Sequence, residues 1–337
     1  MLSRQDNELL CRVGPDTPMG KMLRRYWLPV AMSRELVVGT PKRVRMLGEN
    51  FVAFRGDDGV VGVLDELCPH RGASLVLART EGCALRCLYH GWKVDRSGAI
   101  LEMPSEPEGS AFAAKVSTTA YPVHEAGGLV WTYLGALVPA PPVPDFAFAH
   151  VPDGWRANTK FRTDCNWVQS LEGAIDTSHS NYLHSSDIQF GGAKSPQARQ
   201  TVRPSNDGRP RIFTEDTAYG FRYGAIRRPT VDPEINQYVR VTHFVAPFTA
   251  IIPLGDLQNV QIFLPIDDEH TYQYNVKCGF SEPPSERMLD SVRAFSDRGD
   301  APLGLGEPFD YGALVGREGM LPLGEPWQNL LATGAPA

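Results

Sequence analysis

Two short cysteine–histidine motifs constrain this chain more than any other feature of its 337 residues. The first is Cys68-Pro69-His70, and the second, which follows after sixteen residues, is Cys87-Leu88-Tyr89-His90. Sulfur and imidazole nitrogen are ligands that transition metals prefer, so four such side chains in two tight groups predict one shared metal centre. The fold must therefore bring two separate loops together.

One Cys and one His in each motif is the ligand order of a Rieske centre, a two-iron, two-sulfide cluster in which two His replace two Cys on one iron. We expect Cys68 and Cys87 to hold one iron, and His70 and His90 to hold the other. Because neutral imidazoles replace anionic thiolates, the reduction potential should lie between about −150 and +300 mV.

Zinc is the alternative occupant, because it also binds Cys and His in sets of four. Zinc-finger spacing groups two Cys first and two His later, whereas each motif here contains one of each. Gly72 and Gly91 would let the backbone turn closely around an inorganic sulfide, and Trp92 can exclude solvent. These neighbours favour the cluster.

The composition indicates an ordinary globular protein, with 42% hydrophobic and 21% charged residues. The length is sufficient for two domains. A net charge of −6 without a basic stripe argues against a nucleic-acid partner. Six cysteines without a disulfide spacing, and a polar N-terminus without a secretory signal, predict a cytoplasmic location. No apolar stretch approaches 18 residues, so we expect no membrane span.

The hydrophobic pattern predicts an α+β protein with an all-β domain that carries both motifs on loops. A Pro-rich linker at 138–144 follows this domain. We expect a helix over 170–184, strands within 210–228, 237–252 and 258–280, and a short helix over 287–298. The predicted division is an N-terminal helical segment at 1–26 that packs on the catalytic domain, a cluster domain at 27–137, the linker, and a catalytic domain at 145–337.

A second group of potential ligands consists of Asp176, His179 and His184. On a regular helix the two His would lie about 140° apart, so the helix must distort or end before His184 if both bind one ion. Asp176 would lie between them, and its carboxylate could accept a hydrogen bond from a ring N–H of His179. Two His and one carboxylate form the facial triad of Fe(II) oxygenases. Taken alone, two His in one helix are more often surface or capping residues than metal ligands, but an electron-transfer centre upstream requires an acceptor.

The chain resembles the oxygenase (alpha) subunits of Rieske-type aromatic ring-hydroxylating oxygenases, and most of all the phthalate dioxygenase branch. The segments that carry the resemblance are 68–75, 87–93, 103–106, 166–167, 171–179 and 265–268. The resemblance extends from residue 1 to about 285. It implies a Rieske domain followed by a helix-grip (START-like) domain with an antiparallel sheet and a mononuclear Fe(II).

The resemblance also implies the partners and the activity. Electrons would come from NAD(P)H through a separate flavin/iron–sulfur reductase, and O₂ would serve to hydroxylate, dihydroxylate or O-demethylate an aromatic substrate, expected to be a carboxylate. The subunits would form a head-to-tail homotrimer or a hexamer. In that assembly Asp176 would join His179 to His90 of the partner subunit. The alternatives are a Rieske electron-transfer protein and a ligand-binding protein without a functional mononuclear iron.

The third iron ligand is where the chain departs from this family pattern. Family members carry an Asp on a helix well downstream of the strand that here ends near Phe280. Residues 281–287 instead run almost directly into the last predicted helix, so we expect a segment near 285–288 to be lacking. Glu172 would lie about 10 Å along the helix axis from His179, which leaves Asp290, Asp297 and Asp300 as open candidates.

Arginines on the predicted strands are the candidates for recognising an acidic substrate. The guanidinium group binds carboxylates through two parallel hydrogen bonds, and the four candidates are Arg222, Arg227, Arg228 and Arg240. We expect Arg240 to contact the substrate. The acidic run at 267–270 is predicted to be a solvated hairpin and not a metal site.

Overall fold

The computed structural model describes residues 2–181, 205–254, 257–286, 289, 318–322 and 328. The chain divides into two compact units, which are residues 1–150 with 264–269, and residues 151–263 with 270–337. None of the helices in the described parts has the length and apolar character needed to cross a membrane. The described residues include the α-helices α1 (Arg4–Cys11), α2 (Pro18–Leu23) and α3 (Trp167–Ile175).

The first unit contains three small antiparallel sheets. Its strands are β1 (Trp27–Met32), β2 (Lys42–Met46), β3 (Glu49–Arg55), β4 (Val61–Asp65), β5 (Arg79–Glu81), β6 (Ala84–Arg86), β7 (Lys93–Asp95), β8 (Ile100–Glu102), β9 (Ala120–Tyr121), β10 (Val123–Ala126) and β11 (Leu129–Tyr133). The sheets have the strand orders β1-β11-β10, β2-β3-β4-β9 and β5-β6-β7-β8. Both cysteine–histidine motifs lie in loops, the first after β4 and the second between β6 and β7, as the sequence predicts.

The second unit is built on one eight-stranded antiparallel sheet. Its strands are β12 (Arg156–Thr163), β13 (Arg211–Thr217), β14 (Gly220–Arg227), β15 (Asn236–Val245), β16 (Thr249–Leu254), β17 (Leu257–Pro265), β18 (Thr271–Gly279) and β19 (Glu318–Pro322). The order is β12-β18-β17-β16-β15-β14-β13, with β19 paired to β15. Helix α3 packs on β15 and β16. The predicted α+β class is confirmed, and the segment 210–228 forms a hairpin of two strands.

Short 3-10 helices complete the described structure. They are Ser33–Glu35, Leu75–Leu77, Ala113–Lys115, Ala147–Ala149 and His179–Asn181. The last of these marks a correction, because the sequence predicts a continuous helix over 170–184. Helix α3 instead begins three residues earlier and ends at Ile175, and the chain leaves it before the short turn at His179.

The N-terminal segment, residues 1–26, clusters with the first unit. Its anchor is the hairpin segment 264–269, which also clusters with the first unit. Asp268 accepts hydrogen bonds from Arg12 and from the Val13 backbone N–H, both at 2.9 Å. The acidic run is thus a hairpin with a docking role. The helix expected over 287–298 lies outside the described residues, apart from Leu289.

Candidate functional site

The two motif loops have the same pattern of backbone hydrogen bonds, which we call the loop frame. In each loop the cysteine N–H donates to the carbonyl five residues on, and the glycine four residues on donates its N–H to the cysteine carbonyl. The N···O distances are 2.8 Å for Cys68 to Ala73, 2.9 Å for Gly72 to Cys68, 2.8 Å for Cys87 to Trp92 and 3.1 Å for Gly91 to Cys87. Both glycines adopt positive φ, +67° and +74°, a conformation that side-chain-bearing residues rarely adopt.

The frames bring two thiols together inside the hydrophobic core of the first unit. Cys68 and Cys87 are each 3% exposed, and they belong to a buried cluster that includes Phe54, Leu85 and Val94. Burial, and secondarily the adjacent Cys87, raise the pKa of the Cys68 thiol to about 11, although backbone N–H groups from His70 and Arg71 act against this. Two neighbouring thiolates are stable there only beside cations, as a metal cluster provides.

The two histidines lie beside each other, with ring centroids 4.5 Å apart. Trp92 is buried and stacks on His70 at 4.6 Å with an interplanar angle of 4°. The Nδ1 atom of His70 is buried without a hydrogen-bond partner, which suits an atom that binds a metal. Burial, followed by the charges of His70 and Arg71, lowers the pKa of His90, so its ring remains neutral as ligation requires. The donor set therefore fits a cluster held by two thiolates and two imidazoles.

The first loop is closed at its base by a buried carboxylate. Glu66 is 5% exposed, and its side chain accepts hydrogen bonds from Arg43 at 2.5 and 2.9 Å and from the Ser74 hydroxyl at 2.5 Å. These bonds, chiefly those from Arg43, hold the pKa of Glu66 below its ordinary value. The loop from Cys68 to Ala73 is thus tied across its two ends by an ionised side chain.

The second loop is closed by a charge of the opposite sign. Arg86 donates to the Gly91 carbonyl at 2.8 Å, to Glu81 at 2.7 Å and to Glu102 at 2.7 Å. Its side chain is only 20% exposed, and the two carboxylates, Glu102 first, raise its pKa. Arg86 therefore joins the Gly91 carbonyl, which directly follows His90, to carboxylates on strands β5 and β8 of the small sheet.

In the second unit, Asp176 ends α3 and starts the turn that carries His179. Its backbone N–H still bonds to Glu172, but its own conformation is extended. Its carboxylate accepts from the Ser178 N–H at 2.8 Å and from the His179 N–H at 3.2 Å, and it lies 3.3 Å from His179 Nδ1. One carboxylate thus caps the turn and contacts the imidazole of His179.

Two side chains of β14 hold this segment against the sheet. The Tyr223 hydroxyl donates to the Ile175 carbonyl at 2.5 Å, and Arg227 donates to the carbonyl and hydroxyl of buried Thr177 at 2.7 and 3.0 Å. The backbone on both sides of Asp176 is therefore fixed by buried hydrogen bonds. The role of Arg227 here is structural.

The remaining predicted iron ligands lie outside the described residues. These are His184, Asp290, Asp297 and Asp300. Within the described part of the chain, no three Asp, Glu, His or Cys side chains could together hold a single metal ion; the two-iron cluster described above requires only two protein ligands for each iron. Glu172 is exposed on α3.

The four strand arginines separate into two groups. Arg222 pairs with Glu215 at 2.8 Å, Arg228 pairs with Glu234 at 2.6 Å, and Arg227 binds Thr177. Arg240 keeps partial solvent access, yet the protein packed around it lowers the pKa of its guanidinium. Its Nε is buried without a partner, and no carboxylate in the described ranges pairs with it.

Sequence reasoning missed the residues that hold the ligands in place. Glu66, Arg86 and Tyr223 act through contacts with residues 5 to 48 positions away, and spacing does not reveal these. A signal did exist for the end of α3, because Asp-Thr-Ser before a His is a capping pattern.

Two family models match this chain. A Rieske [2Fe-2S] domain matches residues 26–122, and a LigXa C-terminal domain like model matches residues 132–298. The match to the Rieske [2Fe-2S] domain model identifies the predicted metal centre as the iron–sulfur cluster and not as zinc.

Curated relatives extend the similarity along most of the chain. The phthalate 4,5-dioxygenase oxygenase subunit of Pseudomonas putida is 48% identical over 88% of this chain and 68% of its own length. The 3-chlorobenzoate-3,4-dioxygenase oxygenase subunit of Comamonas testosteroni is 39% identical over 81% and 63%. The 5,5'-dehydrodivanillate O-demethylase oxygenase subunit of Sphingobium sp. is 38% identical over 68% and 53%. The chain thus spans about two thirds or less of these relatives.

The fold is also found among solved structures. A crystal structure of dicamba monooxygenase bound to dicamba superposes with a TM-score of 0.62 at 20% identity, over 80% of this chain and 81% of that one. At this identity the similarity concerns the fold.

The loop clamp of Arg86 generates a prediction about cluster retention. Arg86→Met removes the bond to Gly91 and leaves Glu81 and Glu102 without their guanidinium, which we expect to destabilise the second loop by about 1–3 kcal/mol. The cluster should then be lost to an iron chelator at least about tenfold faster, as followed by visible absorbance.

Arg79→Met is the matched control, because Arg79 is exposed on the adjacent strand opposite Arg86. It should lose its cluster at the parent rate. Equal rates for the parent and Arg86→Met would contradict the clamp.

Proposed function

Because this chain belongs to the Rieske non-haem iron oxygenase family, we propose that it is the terminal oxygenase component of a multicomponent system. It takes electrons from NAD(P)H through a separate reductase and uses O₂ to hydroxylate, dihydroxylate or O-demethylate an aromatic substrate. The observation that carries this proposal is the pair of centres in one chain. Cys68, His70, Cys87 and His90 form one donor set, and His179 with Asp176 forms part of another.

When bound, a Rieske cluster supplies one-electron transfer, and Fe(II) on two His and one carboxylate supplies O₂ activation. The chain's own residues do the positioning. The two loop frames hold the four cluster ligands, Trp92 fixes the plane of His70 and excludes water from it, and Asp176 holds the imidazole of His179 in one orientation. We assign His184 as the second His ligand of the mononuclear iron.

Asp176 has a further part in this proposal. Its side chain is 48% exposed, although three donors of its own turn already bind it, so an edge of the carboxylate is open to another molecule. We assign that edge to His90 of the partner subunit in a homotrimer or hexamer. The cytoplasm, where the six free cysteines remain reduced, is the proposed compartment.

The substrate class follows from Arg240. A largely desolvated guanidinium without a counter-ion among the described residues is unfavourable, and an anionic ligand removes the penalty. Arg240 also lies close to the iron segment, since its charge and that of Asp176 both act on Tyr223. We therefore propose an aromatic carboxylate, which agrees with the names of the two curated relatives that act on phthalate and 3-chlorobenzoate.

An iron assay distinguishes the proposed oxygenase from the alternatives. Protein reconstituted anaerobically should contain about three irons per chain, two in the cluster and one mononuclear. Colorimetric iron and acid-labile sulfide are the measurements. About two irons with two sulfides would indicate an electron carrier or a ligand-binding protein and would refute the proposal.

Asp176→Asn tests the coupling role of this carboxylate. The amide oxygen can still cap the turn, but the negative charge that orients His179 is lost, so turnover should fall by at least about 10–100-fold while the iron content is retained. Reduced-cluster EPR and product formation are the two readouts.

Glu172→Gln removes a charge one turn earlier on α3 and should behave like the parent. Near-normal turnover of Asp176→Asn would remove Asp176 from the mechanism.

Arg240→Met tests the substrate class. Loss of the fork-shaped cation should weaken the binding of aromatic acids on the order of a hundredfold, with an unchanged cluster spectrum. Isothermal titration measures the effect.

One control accompanies it. Arg228→Met removes an arginine paired with Glu234 on the surface. It should bind as the parent does. A parent protein that binds neutral aromatics but no aromatic acid would contradict the assignment.

A further inference from the structure

Asn259 on β17 has a side-chain amide that is buried without hydrogen bonds to the described residues. It is 1% exposed, and neither its Oδ1 nor its Nδ2 has a hydrogen-bond partner among the residues that the structure describes. Folding therefore removes both halves of the amide from water without compensation from this part of the protein, and native proteins rarely leave such groups unpaired. An amide of this kind is suited to bind a partner that the described part of the chain does not supply.

The sheet register shows which surface Asn259 shares. Its backbone lies opposite Ile252 on β16, and Ala250, two residues earlier, lies opposite Phe244 on β15. Residues that face each other across strands point to the same side, as do alternate residues along a strand. Continued from Phe244 along β15, this alternation places Arg240 on the same face as Asn259.

That face is the one directed at the candidate iron segment. Arg240 lies opposite Ala225, so Tyr223 and Arg227 on β14 point to the same side. These two side chains reach the backbone of Ile175 and Thr177, on either side of Asp176. Arg240 and Asn259, whose Nε and side-chain amide are buried without a partner among the described residues, thus belong to the wall that faces the mononuclear iron segment.

We propose that Asn259 is a second polar contact for the bound substrate, and that the substrate is an aromatic acid with a further hydroxyl, alkoxy or carboxylate substituent. This rests on the proposed function. The backbones of Asn259 and Arg240 are two strand spacings apart across the sheet and two residues apart along it, which is a distance of about 12 Å. Because both side chains extend from the same face, the distance between their polar groups can approach the length of a substituted benzene ring. Arg240 binds the carboxylate, and the amide donates to an oxygen or accepts from a hydroxyl at the far substituent.

The test is equilibrium binding to the iron-loaded protein under anaerobic conditions without reductant. The probes are benzoate, which has a carboxylate alone, and phthalate, 3-hydroxybenzoate and 4-hydroxybenzoate, which have a second polar group. We expect the parent to bind at least one substituted acid about tenfold or more tighter than benzoate, because a site built for a hydrogen bond discriminates against an analogue that lacks it.

Asn259→Leu should abolish this preference. The affinity for the preferred probe should fall about tenfold or more, to the level of benzoate, while the affinity for benzoate stays the same. The melting temperature should not fall, because the variant replaces an unpaired amide by an apolar group of similar size. If the amide served a structural water instead, Asn259→Leu would lower the melting temperature and leave the preference intact, which would overturn the proposal.

Asn275→Leu is the matched control on β18. Its amide is buried but donates to Thr159 at 3.3 Å, so this variant should lose stability and keep the parent's preference among probes. A parent with about three irons per chain but no preference for any substituted acid would overturn the role of Asn259 alone. A parent with about two irons would refute the oxygenase function first.

Discussion

The first unit is organised around two thiols that must lie side by side in an apolar core. Burial raises the pKa of the Cys68 thiol to about 11, so its apolar surroundings favour the protonated thiol, whereas a metal centre requires the thiolate. The two thiols are nevertheless held together, because backbone hydrogen bonds within the loops, and not the metal alone, bring the sulfur atoms close to each other. Each loop is fixed by the same two hydrogen bonds, and each is tied at its base by one charged side chain, Glu66 or Arg86.

The second centre uses a different device, in which the end of a helix sets the geometry. Asp176 has no helical conformation of its own, and its carboxylate instead binds the next turn. The break would be costly if the freed backbone were buried without partners. Tyr223 and Arg227 supply those partners from the sheet, and the position of His179 therefore depends on strand β14 as much as on α3.

Local patterns were enough to predict the cluster loops, because ligand spacing and the glycine four residues after each cysteine are properties of a short segment. They were not enough for α3, where periodicity favoured a longer helix and the capping tendency of Asp176 prevailed. Arg227 and Arg240 are indistinguishable in sequence, since both occur on strands rich in apolar residues. Only the structure shows that one binds Thr177 and that the Nε of the other has no partner among the described residues. Asn259 carries no signal at all, because a polar residue in a strand gives no indication of a missing partner.

The hairpin segment 264–269 has a consequence for how the protein is made. It belongs to the first unit, where Leu264 and Ile266 are buried and the carbonyls of Pro265 and Ile266 accept from Leu47 and Gly48. The ribosome therefore has to deliver residues 151–263 before the first unit can close. At about 5–20 residues per second this delay is on the order of ten seconds. During that interval the nascent first unit lacks the hydrogen-bond acceptors of its β2–β3 turn, the carbonyls of Pro265 and Ile266.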